Sequence, residues 1–373
     1  MRTTTAAALF AVGADWELVE LEVDPPRAGE VHVRFDYAGL CHSDEHLRFG
    51  AAGRLPIVGG HEGAGVVEEV GAGVDDLAPG DHIVASIVPT CGRCRWCVTG
   101  APYLCDDGAH ALTGMSPDGS FPFHRGDEDI GGFCQVGAFS RYATLARGSV
   151  VRIPSDIPLD QACLLACCIP TGWGSAVNAA RVVPGEVVVI IGVGGVGSFA
   201  VQGALAAGAS VVACIDPEPF KLQHASQLGA HLCYQSFDEA EAALIEETSG
   251  VMADKVIVTV GDVTAEVTAQ AFALTRKGGT LVLTGMSHDG QAPTVTLPGT
   301  ILSAWAKTVV GCLYGLCSPH HDIPMLVDLW RRGQLNIADA VTNRYPLAQV
   351  SQGYQDLEDG KNIRGVVVHA DAP

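Results

Sequence analysis

The stretch Val187-Val-Val-Ile-Ile-Gly192-Val-Gly-Gly-Val-Gly197 decides the fold. Five apolar residues without in/out alternation read as a strand buried on both faces, the pattern of a parallel sheet covered by helices. A helical segment follows from Ser198 to Ala207, and Asp216 closes the next apolar run 19 residues after Gly197. A glycine triplet alone also serves ordinary turns. With a strand before it, a helix after it and an acid at that distance, it specifies a dinucleotide-binding turn. Gly192, Gly194, Gly195, Val196 and Gly197 let a pyrophosphate approach a helix N-terminus. Asp216 then accepts from ribose hydroxyls and repels the extra phosphate of NADP, so NAD is the expected cofactor.

The pattern continues outward on both sides. VVACID is followed by a helical run from Phe220 to Leu228, KVIVTV by one from Thr264 to Ala273, and TLVLTG closes the series. Such alternation implies a doubly wound parallel sheet of the α/β class. Between Leu18 and about Val151, short strands such as VHVRFDYAG, GAGVVEEVG and GDHIVASIV alternate with glycine-rich turns, which suggests a mainly β domain. The tail ends on another strand, RGVVVH. A chain of 373 residues holds two or three domains, so the sheet is inserted into, or follows, the β-rich part. Ala6 to Ala14 has the apolar character of a signal segment, but Arg2 is the only positive charge before it, and a first strand is expected.

Composition narrows the class. At 48% apolar and 17% charged residues a large core is available, and a net charge of −20 excludes nucleic acid and anionic membrane surfaces as partners. No apolar run approaches the roughly 20 residues of a membrane span. Thirteen cysteines, spread widely with one tight cluster, favour metal ligands and free thiols in a reducing compartment. Cytoplasmic localisation is expected.

Cys91-Gly-Arg-Cys94-Arg-Trp-Cys97, with Cys105 eight residues on, has the spacing of a closed tetrahedral zinc site, which is structural. Free thiols or a redox pair are the alternative. A second constellation is scattered: Cys41-His42-Ser43-Asp44-Glu45-His46, then His61-Glu62, then Cys167-Cys168. Two thiolates and an imidazole would make an open catalytic zinc site. Spacing does not select among these residues, and a Cys in LLACCIP serves equally as an apolar filler.

In order along the chain, GLCHSDEH, GGHEGAGVVEEVG, CGRCRWC with Cys105, PTGWGSAV, GVGGVG and GKNIRGVVVH resemble the zinc-dependent medium-chain alcohol dehydrogenases. PTGWGSAV and DLEDGKNIRG point to the actinobacterial NAD-dependent nicotinoprotein branch. The resemblance implies a GroES-like, mainly β catalytic domain over 1–168 and 312–373, with a Rossmann domain over 169–311. It implies two zinc ions and NAD per chain, an alcohol or carbonyl substrate, and a homodimer or homotetramer.

Carried over by position, Cys41, His61 and Cys167 become the catalytic zinc ligands, Cys167 lying four residues before Thr171. Glu62 becomes an alternate ligand, and Asp44 orients His61. Ser43 meets the substrate oxygen and His46 passes its proton on. Thr171 and Lys221 join Asp216 and the glycine turn at the cofactor, while His42 and Arg364 face the pyrophosphate. Histidine stands at position 42 where relatives carry arginine, and makes a weaker, pH-dependent clamp. Ile87, Phe133, Cys134 and Met286 fall at the substrate pocket, Ile87 replacing a frequent aromatic, so an apolar and roomy pocket is expected. Two alternatives stay open: thiol-dependent oxidation of an S-hydroxymethyl adduct of formaldehyde, and a non-enzymatic nucleotide-binding relative.

Overall fold

The apolar runs after Gly185 form a single sheet in a computed structural model that describes residues 1–51, 53–286, 294–370 and 372. Its six strands are all parallel, in the order Leu232–Tyr234, Val211–Ile215, Val187–Ile191, Ala253–Val258, Thr275–Leu283 and Thr308–Gly311. Numbered along the chain this is 3-2-1-4-5-6, the doubly wound order of dinucleotide-binding sheets. Alternate residues explain the unbroken apolar runs. Val188, Ile190, Val212 and Ile257 pack into one core, whereas Val189, Ile191, Ala213 and Val256 pack into another on the opposite face.

The chain divides into two compact units, Met1–Cys167 with Ser318–Pro373, and Cys168–Cys317. Residues 312–317 group with the sheet because Cys312 and Leu316 pack into its first core. In the other unit, Arg2–Leu9 is the first strand and pairs along its length with Glu17–Val23. These two join Phe123–Arg125, Glu128–Gly132 and Ile57–Val58 in a closed barrel.

A second, seven-stranded sheet in that unit centres on Glu30–Gly39, which pairs with Glu62–Val70, Tyr142–Ala146 and Arg364–Val368. Two of these ladders bring distant parts of the sequence beside position 39, where Gly39 pairs with Glu62 on one side and Val366 on the other. The end of Glu30–Gly39 therefore meets both Glu62 and the C-terminal strand.

Candidate metal centres and nucleotide turn

The sulfurs of Cys91, Cys94, Cys97 and Cys105 lie within 4.8 Å of one another. Cys91 to Cys97 and Cys94 to Cys105 are each 3.9 Å, far beyond a disulfide of about 2.05 Å. They match the ~3.8 Å edge of a tetrahedron with ~2.3 Å zinc–sulfur arms. Backbone N–H groups point at the sulfurs: Cys94 donates to Cys91 Sγ at 3.3 Å, and Cys91 to Cys105 Sγ at 3.3 Å. Backbone N–H groups of Asp106 and Cys97 hold the Cys94 thiol down to about 6, while burial pushes Cys105 up. The donor set fits a zinc ion with no open position.

The second cluster is assembled from three segments. Cys41 follows strand Glu30–Gly39, His61 precedes strand Glu62–Val70, and Cys167 follows the short helical turn Cys163–Ala166. One donor atom each from Cys41, His61, Glu62 and Cys167 falls within 4.8 Å of the others, and all four residues are buried. Cys167, not Cys168, joins; Cys168 is fully buried at the start of the helical segment Cys168–Gly174.

Neighbours fix each donor. Asp44 Oδ2 lies 3.0 Å from His61 Nδ1, and its Oδ1 accepts the Gly60 N–H at 2.7 Å. With Nδ1 so committed, Nε2 is the nitrogen left for the cluster. Position 39 must be glycine, because a Cβ there would stand 2.0 Å from Glu62 Oε2. That oxygen is ion-paired with Arg364, while Oε1 is buried without a hydrogen-bond partner among the described residues. A buried carboxylate oxygen left bare costs several kcal/mol, and beside two sulfurs and an imidazole it fits a borderline-soft dication such as zinc.

The electrostatics agree. A hydrogen bond from Cys167, working against burial and helped by His61 and Arg364, holds Cys41 well below the usual thiol range. Burial pushes Glu62 up to about 7, opposed by Arg364. Burial disfavours the charged imidazole of His61, yet Asp44 and Cys41 outweigh it and hold that group well above the usual histidine range. Where a metal binds, it takes the place of that proton.

Ser43 and His46 sit on the short helix His42–His46, with Ser43 Oγ 3.7 Å from Cys41 Sγ and His46 buried. The Phe133 ring meets His61 edge-on, centroids 5.2 Å apart. Cys134 follows in the left-handed region (φ 53°), its thiol pushed up to about 12 by burial. Ile87 is half-buried in the same unit; Met286 belongs to the other and is exposed. Arg364, expected at a pyrophosphate, is 3% exposed and holds Glu62.

The sequence reading missed Tyr354. Its buried phenol faces the Asp44 carboxylate, and its ring stacks on Trp16 at 6.0 Å. An aromatic residue on an amphipathic helix carries no sign that separates this from ordinary core packing.

In the other unit, Gly192 turns the chain out of strand Val187–Ile191 with φ +84°, and the helix Gly195–Ala206 starts three residues later. A Cβ at Gly194 would project into open space. That is the cradle a pyrophosphate needs. Asp216 Oδ2 accepts the Val193 N–H at 2.9 Å and Oδ1 the Glu218 N–H at 3.0 Å. Each oxygen keeps a lone pair for a ribose hydroxyl. Lys221 lies on the next helix, Pro219–Gln227, and Thr171 on Cys168–Gly174.

Known proteins align with this arrangement. A family model described as alcohol dehydrogenase GroES-like domain matches residues 27–155, and one described as zinc-binding dehydrogenase matches 195–332. An NDMA-dependent alcohol dehydrogenase of Amycolatopsis methanolica is 49% identical over 98% of this chain and 99% of its own. Putative alcohol dehydrogenase D of Mycobacterium tuberculosis is 50% identical over 98% and 100%. The crystal structure of benzyl alcohol dehydrogenase from Acinetobacter calcoaceticus superposes with a TM-score of 0.90 at 29% identity, covering 99% and 100%. A relative named S-(hydroxymethyl)glutathione dehydrogenase, from Synechocystis, is more distant at 34% over 97% and 98%.

Proposed function

The chain belongs to the zinc-binding alcohol dehydrogenases, and from that membership we propose that it moves a hydride reversibly between NAD and a primary or secondary apolar alcohol of moderate size, giving an aldehyde or ketone. The observation that carries the reading is the convergence of Cys41, His61, Glu62 and Cys167 in one buried cluster. In this reading Cys41, His61 and Cys167 hold the catalytic zinc with Glu62 as alternate ligand, and the four sulfurs of the Cys91–Cys105 loop hold a second, structural zinc. When bound, the catalytic zinc lowers the acidity barrier of a hydroxyl by roughly nine pKa units, about 12 kcal/mol if an alcohol responds as water does, and NAD accepts the hydride.

The chain's own groups do the rest. Asp44 orients the His61 ring. Arg364 balances Glu62, so the cluster is not overcharged with anions. Ser43 takes the substrate proton and His46 hands it to solvent; such general-base help adds roughly 10²–10⁴-fold, a smaller share than the metal. Ile87, Phe133 and Cys134 give the substrate an apolar environment. Gly192, Gly194, Gly195, Val196 and Gly197 take the pyrophosphate, and Thr171 and Lys221 add contacts to NAD. Asp216 selects NAD over NADP, and Asp216→Gly is expected to narrow the ratio of the Kd values of the cofactor-free protein for the two dinucleotides.

Phe133 and Cys134 offer an anionic thiol carrier no positive charge, which disfavours the S-hydroxymethyl reading. A pure nucleotide binder has no use for a buried two-sulfur, one-imidazole cluster. The outer strand Thr308–Gly311 and exposed Trp305 and Leu313 support pairing with a second copy; the assembly is a homodimer, or a homotetramer by doubling. Among the described residues no single helix is long and apolar enough to cross a membrane. The gathering of cysteines into two metal-ligand clusters supports a cytoplasmic location.

NAD is retained through turnover, as in the nicotinoprotein branch. Gel filtration of the purified protein tests this: NAD is expected to co-elute, and alcohols to reduce it in place, with turnover on adding NDMA or a carbonyl acceptor. Failure of every alcohol in a broad panel to reduce bound or added NAD would remove the reading.

A further inference from the structure

Cys214 and Cys233 belong to neither metal cluster. They lie directly opposite each other on the parallel strands Val211–Ile215 and Leu232–Tyr234. Neighbouring strands run about 4.8 Å apart, inside the 4.4–6.8 Å Cα separation that a disulfide spans. Both side chains face the core that contains Leu222 and Ala225, so the sulfurs share one side of the sheet. We propose that Cys214 and Cys233 are an oxidant-sensitive dithiol that closes to a reversible disulfide two residues before Asp216.

The two sulfurs differ as an attacking and a resolving thiol should. Cys233 is half-buried on the outer strand, whereas Cys214 is fully buried. The Cys214 thiol donates to the Cys233 sulfur, which holds Cys233 down to about 7 against burial and pushes Cys214 up. When protonated, Cys233 donates instead to the Leu222 carbonyl, 3.5 Å away. Two other buried thiols, Cys163 and Cys317, donate to the carbonyls of Asp160 and Pro170.

The chemistry balances with a hydroperoxide as oxidant. The Cys233 thiolate attacks one oxygen of hydrogen peroxide, the O–O bond breaks, and hydroxide leaves and is protonated to water. The Cys214 sulfur, its proton lost, attacks the sulfur of the resulting sulfenic acid and expels its hydroxyl as a second water. Two thiols and one peroxide become one disulfide and two waters.

The experiment uses the zinc-loaded full chain. It is exposed to hydrogen peroxide, alkylated, digested without reductant and mapped by mass spectrometry. A cross-linked peptide pair joining Cys214 to Cys233, lost on adding dithiothreitol and absent in Cys233→Ser, is expected. In Cys214→Ala the resolving sulfur is gone, and dimedone should trap Cys233 as its sulfenic acid. Both variants keep alcohol oxidation unchanged. Recovery of Cys214 and Cys233 as separately alkylated peptides from the oxidised protein, or cross-linking of Cys233 to a different cysteine, overturns the proposal. Should Cys214→Ala fail to fold, the wild-type and Cys233→Ser maps decide the matter alone.

Discussion

The Cys91–Cys105 loop and the Cys41–Cys167 cluster each gather four donors within 4.8 Å, but from very different lengths of chain. The first draws four sulfurs from one short loop, leaves three of its residues half-exposed, and receives backbone N–H groups from the loop itself. The second draws mixed donors from three segments, buries all of them, and depends on Asp44, Gly39 and Arg364 for their placement. A closed, self-contained site holds the fold together. An open site must be positioned by the fold, and so the rest of the unit is organised around it.

Breaking the buried cluster should have the largest effect. Cys167→Ser is expected to reduce alcohol oxidation to background and to lower zinc from about two to about one per chain, as loss of an open-site ligand requires. Cys168→Ser should do neither, and the opposite pattern of metal analysis would transfer the ligand.

Breaking the loop should instead cost stability. Cys94→Ser is expected to lose the other zinc and lower Tm by several degrees, at about 2–4 °C per kcal/mol for a unit of this size. The remaining folded protein should keep its catalytic zinc. Scanning calorimetry with metal analysis separates the two outcomes.

How the two sites came to be readable follows from the same contrast. Local spacing exposed the loop, because all four ligands are neighbours in sequence as well as in space. The glycine turn was equally plain, since Gly192, Gly194 and Asp216 act through one strand–turn–helix unit. The buried cluster was not legible by spacing: Cys41, His61 and Cys167 meet only because strand Glu30–Gly39 pairs with Glu62–Val70 and the turn at Cys163–Ala166 packs against both. Resemblance to a family proposed those residues, and geometry then brought them together. Two of the six parallel strands, Leu232–Tyr234 and Thr308–Gly311, escaped notice because they are short and lie at the sheet's edges, where one face or edge meets solvent and the apolar run breaks. The Glu62–Arg364 pair joins residues 302 apart, a distance no local pattern spans.

A sharper test of the surrounding scaffold is pH. His369 is buried against the Ala138 carbonyl at 2.9 Å, and Ala138 in turn donates its N–H to Gly60, next to His61. Burial pushes His369 down to about 4 from 6.5. The folded state therefore binds fewer protons than the unfolded one between those values. The stability is fully present above pH 6.5 and lost as pH falls towards 4, by about 3 kcal/mol. Urea denaturation at the two pH values should show this loss in the wild type and a smaller one in His369→Gln.

The smallest effect belongs to Tyr354. Tyr354→Phe removes only the phenol oxygen beside Asp44, and is expected to change stability by about 1 kcal/mol or less. Loss of zinc from the buried cluster to a chelator should nonetheless become a few-fold faster, with release from the loop unchanged. Equal rates at both sites in the variant and the wild type would leave Tyr354 as plain core packing.

The most direct test is native mass spectrometry of the purified chain during mild chelation, with alcohol oxidation followed in the same samples. Activity is predicted to vanish as the first zinc leaves the Cys41–His61–Cys167 cluster while the second stays in the loop, and to return when zinc is restored. Full activity in a species that has lost the first zinc would contradict the account.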